Sequence, residues 1–379
     1  MDAGLPRRPT SNRYGGSEID RDLHELGPAM KLVADHLRRF ASHRDAAGHG
    51  WRRIALNEIP QWCSHVAALF QQDRPYGKRS RRASVGEYEL HYAACLNYCR
   101  ELGDGATFDD VRLYQAGIVR RGFESCLPCQ KDEPRIAMLP DGQYVIDLNY
   151  FGQTFHRRPL EETGELDGCP AICASVGDEL FEVPLDEAFR VNPARLADEI
   201  GRAGSACRTV VELGAGFGYN LSRIRERLAS VKLVCADASP AAIETARRLF
   251  RDDAGASVRA FDFYDAASYE FMATLEAPIL VYTSAAIEQL PSSAPLFDGL
   301  EPYRDKIDRV LHLEPVYRDD DNGLLGMLRR RYIDTWDYTR DLMTQIEGRA
   351  NIELLREEPN VFGVNPLNPL SLLEWRYSA

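Results

Sequence analysis

Val210-Val211-Glu212-Leu213-Gly214-Ala215-Gly216-Phe217-Gly218 decides how this chain is read. An apolar, β-branched run, Thr209 to Leu213, predicts a buried strand, and Asn220 to Leu228 predicts a helix. Between them, three glycines at alternate positions let the backbone take unusual dihedrals and come close to a ligand. Dinucleotide sites space their glycines Gly-x-Gly-x-x-Gly, so that a pyrophosphate meets the helix N-terminus. Here the third glycine, Gly218, comes one residue early, and Tyr219 takes the dinucleotide position. Glu212 stands just before the loop, where a carboxylate opposes a pyrophosphate and suits an amino group.

Downstream, strand and helix signals alternate: strands at Val231–Ala236, Val258–Phe261, Pro278–Tyr282 and Arg309–Leu313, and a helix at Pro240–Phe250. One long helix is expected over Leu324–Ile346, then two closing strands, Ile352–Leu355 and Leu370–Trp375. Such alternation implies a parallel sheet covered on both faces, and the late strand pair implies an antiparallel edge. Upstream, residues 1–18 read as a flexible start and 19–122 as a helical accessory domain. Residues 123–190 read as an irregular segment shaping a substrate entrance, with a hairpin about Asp141-Gly142, and 191–379 as the catalytic domain. Only a short helix, Leu196–Ile200, is expected ahead of the first strand.

The chain from Asn192 onward resembles the class I S-adenosylmethionine-dependent methyltransferases. The resemblance implies a Rossmann-like seven-stranded α/β sheet and S-adenosylmethionine as cofactor. Glu212, Gly214, Gly216 and Gly218 match the family's first motif. Asp237, with Ala238, ends the second strand and would hold the ribose hydroxyls; Asp262 and Phe263 end the third and would meet the adenine. The stretch Val281 to Pro291, with Thr283 and Ser284 on the fourth strand, would approach the methionine part and the substrate, and short tail segments are similar to sugar- and natural-product-modifying methyltransferases. Methyl transfer needs alignment and, for a hydroxyl or amine, a base. His312 and Glu314, two apart on one face of the fifth strand, and Glu288 in the neighbouring loop are the candidates. Tyr317, Trp336 and Tyr338 are candidate pocket aromatics.

Composition bounds the partners. Of 379 residues, 44% are hydrophobic and 27% charged, as in a folded globular protein. No apolar run approaches the roughly 20 residues that span a bilayer, and no apolar stretch follows Arg7 and Arg8 to make a signal peptide. Nine cysteines, an odd number, fit a reducing cytoplasm. A net charge of −12 disfavours nucleic acid, and the basic run Lys78–Arg82 reads as a solvated loop between helices. Cys126, Cys129, Cys169 and Cys173 could form a zinc knuckle pair, though their spacing is loose and no metal site is assigned. A small-molecule acceptor, methylated on oxygen or nitrogen, is the expected substrate. The alternatives are a peptide or protein methyltransferase and a non-catalytic S-adenosylmethionine-binding regulator.

Overall fold

The structure, a computed structural model, describes residues 52–54, 81–115, 136–138, 144–148, 153–157, 171–321 and 324–378. In chain order the elements are β1 (Arg52–Ile54), α1 (Arg81–Leu102), α2 (Phe108–Gln115), β2 (Ile136–Met138), β3 (Tyr144–Leu148), β4 (Gln153–Arg157), β5 (Ala171–Val176), β6 (Glu179–Pro184) and α3 (Leu185–Ala203). There follow β7 (Thr209–Leu213), α4 (Tyr219–Arg227), β8 (Lys232–Asp237), α5 (Pro240–Leu249), β9 (Ala256–Ala260), β10 (Ile279–Ser284), α6 (Ala294–Leu300) and β11 (Ile307–Glu314). The chain closes with α7 (Leu324–Trp336), α8 (Leu342–Glu347), β12 (Ile352–Phe362) and β13 (Leu370–Tyr377).

Seven strands form one sheet in the order β12-β13-β11-β10-β7-β8-β9. β9, β8, β7, β10 and β11 run parallel, and β13 joins β11 antiparallel. This is the expected Rossmann-like seven-stranded α/β sheet, antiparallel edge included. Its strand order reverses between β7 and β10, the place where open α/β sheets leave a crevice at their carboxyl ends.

Alternation sorts the strands onto two cores. Val210, Leu233, Leu280, Tyr282 and Leu311 pack on one face with Leu196 and Ile200 of α3 and Leu221 and Ile224 of α4. Val211, Val234, Val281, Val310 and Trp375 pack on the other with Met272, Leu296, Phe297 and Ile346. Both faces of the central strands are therefore buried, which explains their near-continuous apolar runs.

Three expectations need correction. The helix before β7 is much longer than Leu196–Ile200 and carries Pro193 in its interior. The single helix over Leu324–Ile346 is two, because Asp337 turns left-handed at φ 54° after α7. Its N–H donates to the Asp334 carbonyl and the Tyr338 N–H to the Ile333 carbonyl, the paired bonds of a glycine-type C-cap made here with aspartate. The segment expected to be irregular, 123–190, contains regular strands. β2, β3 and β4 pair antiparallel with Met138 opposite Tyr144, as the Asp141-Gly142 signal implies, while the turn itself lies outside the described residues. The β5–β6 hairpin reaches the tail through Ser175 and Gly363, whose backbones exchange bonds at 2.8 and 2.9 Å.

Of the basic run, Arg81 and Arg82 begin α1 rather than sit in a loop, and the rest lies outside the described residues. Among the described residues, no helix is long and apolar enough to cross a membrane.

Candidate active site

The glycine loop turns back over the end of β8. Gly214 and Ala215 both donate to the Ala236 carbonyl, at 2.8 and 3.0 Å, so the loop is seated on the neighbouring strand. Gly214, Gly216 and Gly218 hold φ of 76°, 55° and 83°, a region costly for side chains with a Cβ. Their surroundings refine the reason glycine is needed. A Cβ on Gly214 would meet the Ala286 Cβ at 2.5 Å; one on Gly216 would meet the Tyr92 hydroxyl at 2.5 Å; one on Gly218 would meet Phe250 at 2.6 Å. The protein's own side chains fill the space that glycine frees.

Asp237 closes the circuit. Its Oδ2 accepts from the Gly216 N–H at 2.7 Å and its Oδ1 from the Ser239 N–H at 2.8 Å. Burial raises its pKa, and these backbone donors work against that rise. A carboxylate offers about four lone-pair directions, so each oxygen keeps acceptor capacity for a hydroxyl. Ser239 then caps α5, its Oγ accepting from the Ala242 N–H at 3.1 Å, with Pro240 in the first turn.

A pocket of about 770 Å³, mouth included, opens beside this circuit. Gly214, Asp237, Ala238, Asp262 and Phe263 line it, five of the residues the sequence singled out. Asp262 Oδ1 accepts from the Tyr264 N–H at 3.0 Å, which fixes the bend after β9 and leaves Phe263 edge-on to Phe261. The far wall is Ala285, Ala286, Gln289, Leu290 and Pro291. Tyr92 was not anticipated from the sequence, whereas the stretch Val281 to Pro291, expected to approach the cofactor, already contains this wall. Backbone strain marks the wall: Ala285 sits at φ 49° directly after β10, a conformation alanine holds only where its surroundings fix it.

Thr283 and Ser284 do not line the pocket, contrary to expectation. Thr283 is fully buried, with its Oγ1 2.8 Å from His312 Nδ1. Glu212 is also displaced from its expected place. It lies under the loop rather than in the pocket, with Oε1 accepting from Asn220 Nδ2 at 2.7 Å. The Tyr282 hydroxyl faces the same carboxylate, and burial, opposed by the bonding of Asn220 and Tyr282, pushes the Glu212 carboxyl up to about 8. Glu212 thus joins the end of β7 to the start of α4, beneath the ligand space. Gly216 and Gly218 shape the loop without lining the pocket.

The candidate bases are corrected as well. His312 and Glu314 share a face, as their spacing requires, but both are 0% exposed. Trp375 Nε1–H donates to His312 Nε2 at 2.9 Å, which places the ring proton on Nδ1 beside the Thr283 hydroxyl. Burial lowers the His312 pKa to about 3, so the ring stays neutral with both nitrogens engaged. Glu314 accepts from the Ala286 N–H through both oxygens at 3.0 Å and from the Ile287 N–H at 3.2 Å. It holds the strained Ala285–Ala286 turn, and burial pushes its carboxyl up to about 8. Glu288 is half-buried beside the wall without lining the pocket; it accepts from Gln289 Nε2 and Asn368 Nδ2 at 2.9 and 2.8 Å. Tyr317 and Tyr338 do not line the pocket either, and Tyr338 packs edge-on to Tyr332. The Trp336 side chain lies outside the described residues.

Cys126, Cys129 and Cys169, and the side chain of Cys173, lie outside the described residues. Among those described, no three His, Cys, Asp or Glu are grouped to hold a metal ion.

No protein-family model matches the chain, and no curated protein matches it. Solved structures do. It is similar to mitomycin 7-O-methyltransferase (13% identity, TM-score 0.36, covering 49% of this chain and 54% of that one). It is also similar to an O-methyltransferase family protein from Burkholderia thailandensis (16%, 0.37, 51% and 59%). A third is human N-acetylserotonin methyltransferase in complex with S-adenosylmethionine (14%, 0.35, 51% and 53%). The chain spans somewhat over half the length of each. Likeness at this level leaves activity to be argued from the site.

Proposed function

We propose that this chain transfers a methyl group from S-adenosylmethionine to an oxygen or nitrogen of a small molecule. The observation that carries the reading is Asp237. Its carboxylate ends β8, holds the glycine loop through Gly216, and borders the same pocket as Asp262 and Phe263. That arrangement suits an adenosyl ligand, with ribose hydroxyls on Asp237, the adenine amine on Asp262 and the ring against Phe263. Gly214 brings the backbone to the same space.

When bound, the cofactor supplies a methyl carbon on a positively charged sulfur, and the acceptor's lone pair displaces the sulfur as a neutral thioether. The chain's share is placement. Ala285, Ala286 and Gln289 form the wall against which an acceptor rests, and Glu314 fixes that wall from below. Among the described residues, no histidine or lysine lines the pocket.

The test is product mass. The purified chain, given S-adenosylmethionine and extracts of small metabolites, should yield a product heavier by one methylene, with S-adenosylhomocysteine formed in equal amount. Cofactor binding without any such product would favour a regulatory binder instead.

A further inference from the structure

Helix α1 belongs to the region expected to be an accessory domain, yet two of its residues meet the site described above. Glu89 and Tyr92 are three apart, hence on one side of the helix. Glu89 accepts from the Ser239 hydroxyl at 2.5 Å and from the Ala241 N–H at 3.2 Å. Ser239 donates its N–H to Asp237, and Asp237 receives the Gly216 N–H. Over Gly216 lies the hydroxyl of Tyr92, which also lines the pocket. The chain of contacts therefore leaves α1 at Glu89, passes through the ribose-end carboxylate, and returns to α1 at Tyr92.

The packing around this ring is firm. Tyr98 of α1 stacks on Tyr114 of α2 at 4.3 Å, and Phe108 packs on Phe250 at 4.6 Å. Phe217 and Tyr219, from the glycine loop and the start of α4, are buried in the same cluster as Cys95, Cys99 and Val111. The Tyr219 hydroxyl donates to Asp109 at 3.0 Å. The two helices thus rest on the cofactor loop itself.

We infer that α1 is part of the cofactor site: Tyr92 contacts the bound adenosyl ligand through its hydroxyl, and Glu89 is a positioning residue that sets α1 and the Asp237–Ser239 turn relative to each other. This rests on the methyl-donor reading and adds a ligand contact from outside the sheet domain. It also assigns Gly216 a reason beyond its own loop, since only glycine leaves room for the Tyr92 hydroxyl.

Calorimetry with S-adenosylhomocysteine on the full chain tests it, using Tyr92→Phe, which keeps the ring against Phe217 and removes only the hydroxyl. The expected result is affinity lower by about fivefold or more, the scale of one lost hydrogen bond of about 1 kcal/mol. Unchanged or tighter binding by Tyr92→Phe would overturn the inference and leave the methyl-donor reading standing. No binding by the wild-type chain would overturn both. For Glu89, hydrogen exchange is the readout. Adding S-adenosylhomocysteine should slow exchange across residues 88–96 in the wild type, and Glu89→Gln should lose most of that slowing with its own melting temperature little changed. Ligand-independent exchange in the wild type would show α1 to be packing alone, and would overturn the assignment.

Discussion

The two halves of the sheet end in similar residues and use them in opposite ways. At the β7–β8–β9 side, Asp237 and Asp262 stand at or just beyond their strand ends and border the pocket. At the β10–β11 side, Thr283, His312 and Glu314 lie within their strands and are fully buried. There the pocket is lined instead by Ala285 and Ala286, whose backbone Glu314 holds. One half offers side chains to a ligand. The other offers a wall, and spends its polar side chains keeping it in place. A polar residue near a strand's carboxyl end is therefore no guide to a base until its depth in the sheet is known.

The largest expected effect breaks the buried half. Glu314→Ala removes the acceptor for the Ala286 and Ile287 N–H groups and leaves both donors unmet, a loss of about 2–6 kcal/mol in unfolding free energy at about 1–3 kcal/mol per orphaned group. Chemical denaturation measures it, and activity should fall with the wall. His312→Ala should follow at roughly 2–3 kcal/mol, since it strands the Trp375 indole and leaves a cavity. Its affinity for S-adenosylhomocysteine should stay within twofold of wild type. A His312→Ala protein of normal stability but no turnover would reverse the comparison and restore His312 as a base.

Acidity sharpens the same contrast. The folded pKa of His312 lies near 3, below its ordinary 6.5, so its contribution is present above 6.5 and is lost as pH falls from there toward 3. Glu314 is shifted the other way, from 4.5 up to about 8; its contribution is present below 4.5 and is lost as pH rises through 8. Melting temperature against pH should therefore decline at both ends. Glu314→Gln, which does not titrate, should remove its share of the alkaline decline and leave the share of Glu212, also pushed up to about 8, while His312→Gln should lessen the acid decline. The smallest effect is expected at Glu288→Gln, whose amide can still meet Asn368, with turnover changed less than about threefold, under 1 kcal/mol.

Much of the C-terminal half, from β7 onward, was legible. β7 and the start of α5 fall where apolar β-branched runs and a proline-led helix place them, because local pattern and fold agree there. Asp237 and Asp262 were singled out through the resemblance, as acidic residues ending the second and third strands. What escaped has physical causes. His312 reads the same whether its strand is covered on one face or both, and only the second layer of helices settles that. The left-handed Asp337 escaped because the break carries no glycine. Glu89 and Tyr92 escaped because they reach partners more than a hundred residues away, a distance no local period encodes.

The account turns on Asp237, and calorimetry with S-adenosylhomocysteine on the wild type and Asp237→Ala tests it most directly. The wild type should bind at one site, and the variant should bind at least tenfold more weakly, a loss of about 1.4 kcal/mol or more, while remaining folded. A wild type that gives no binding heat, or a folded variant that binds equally well, would contradict it.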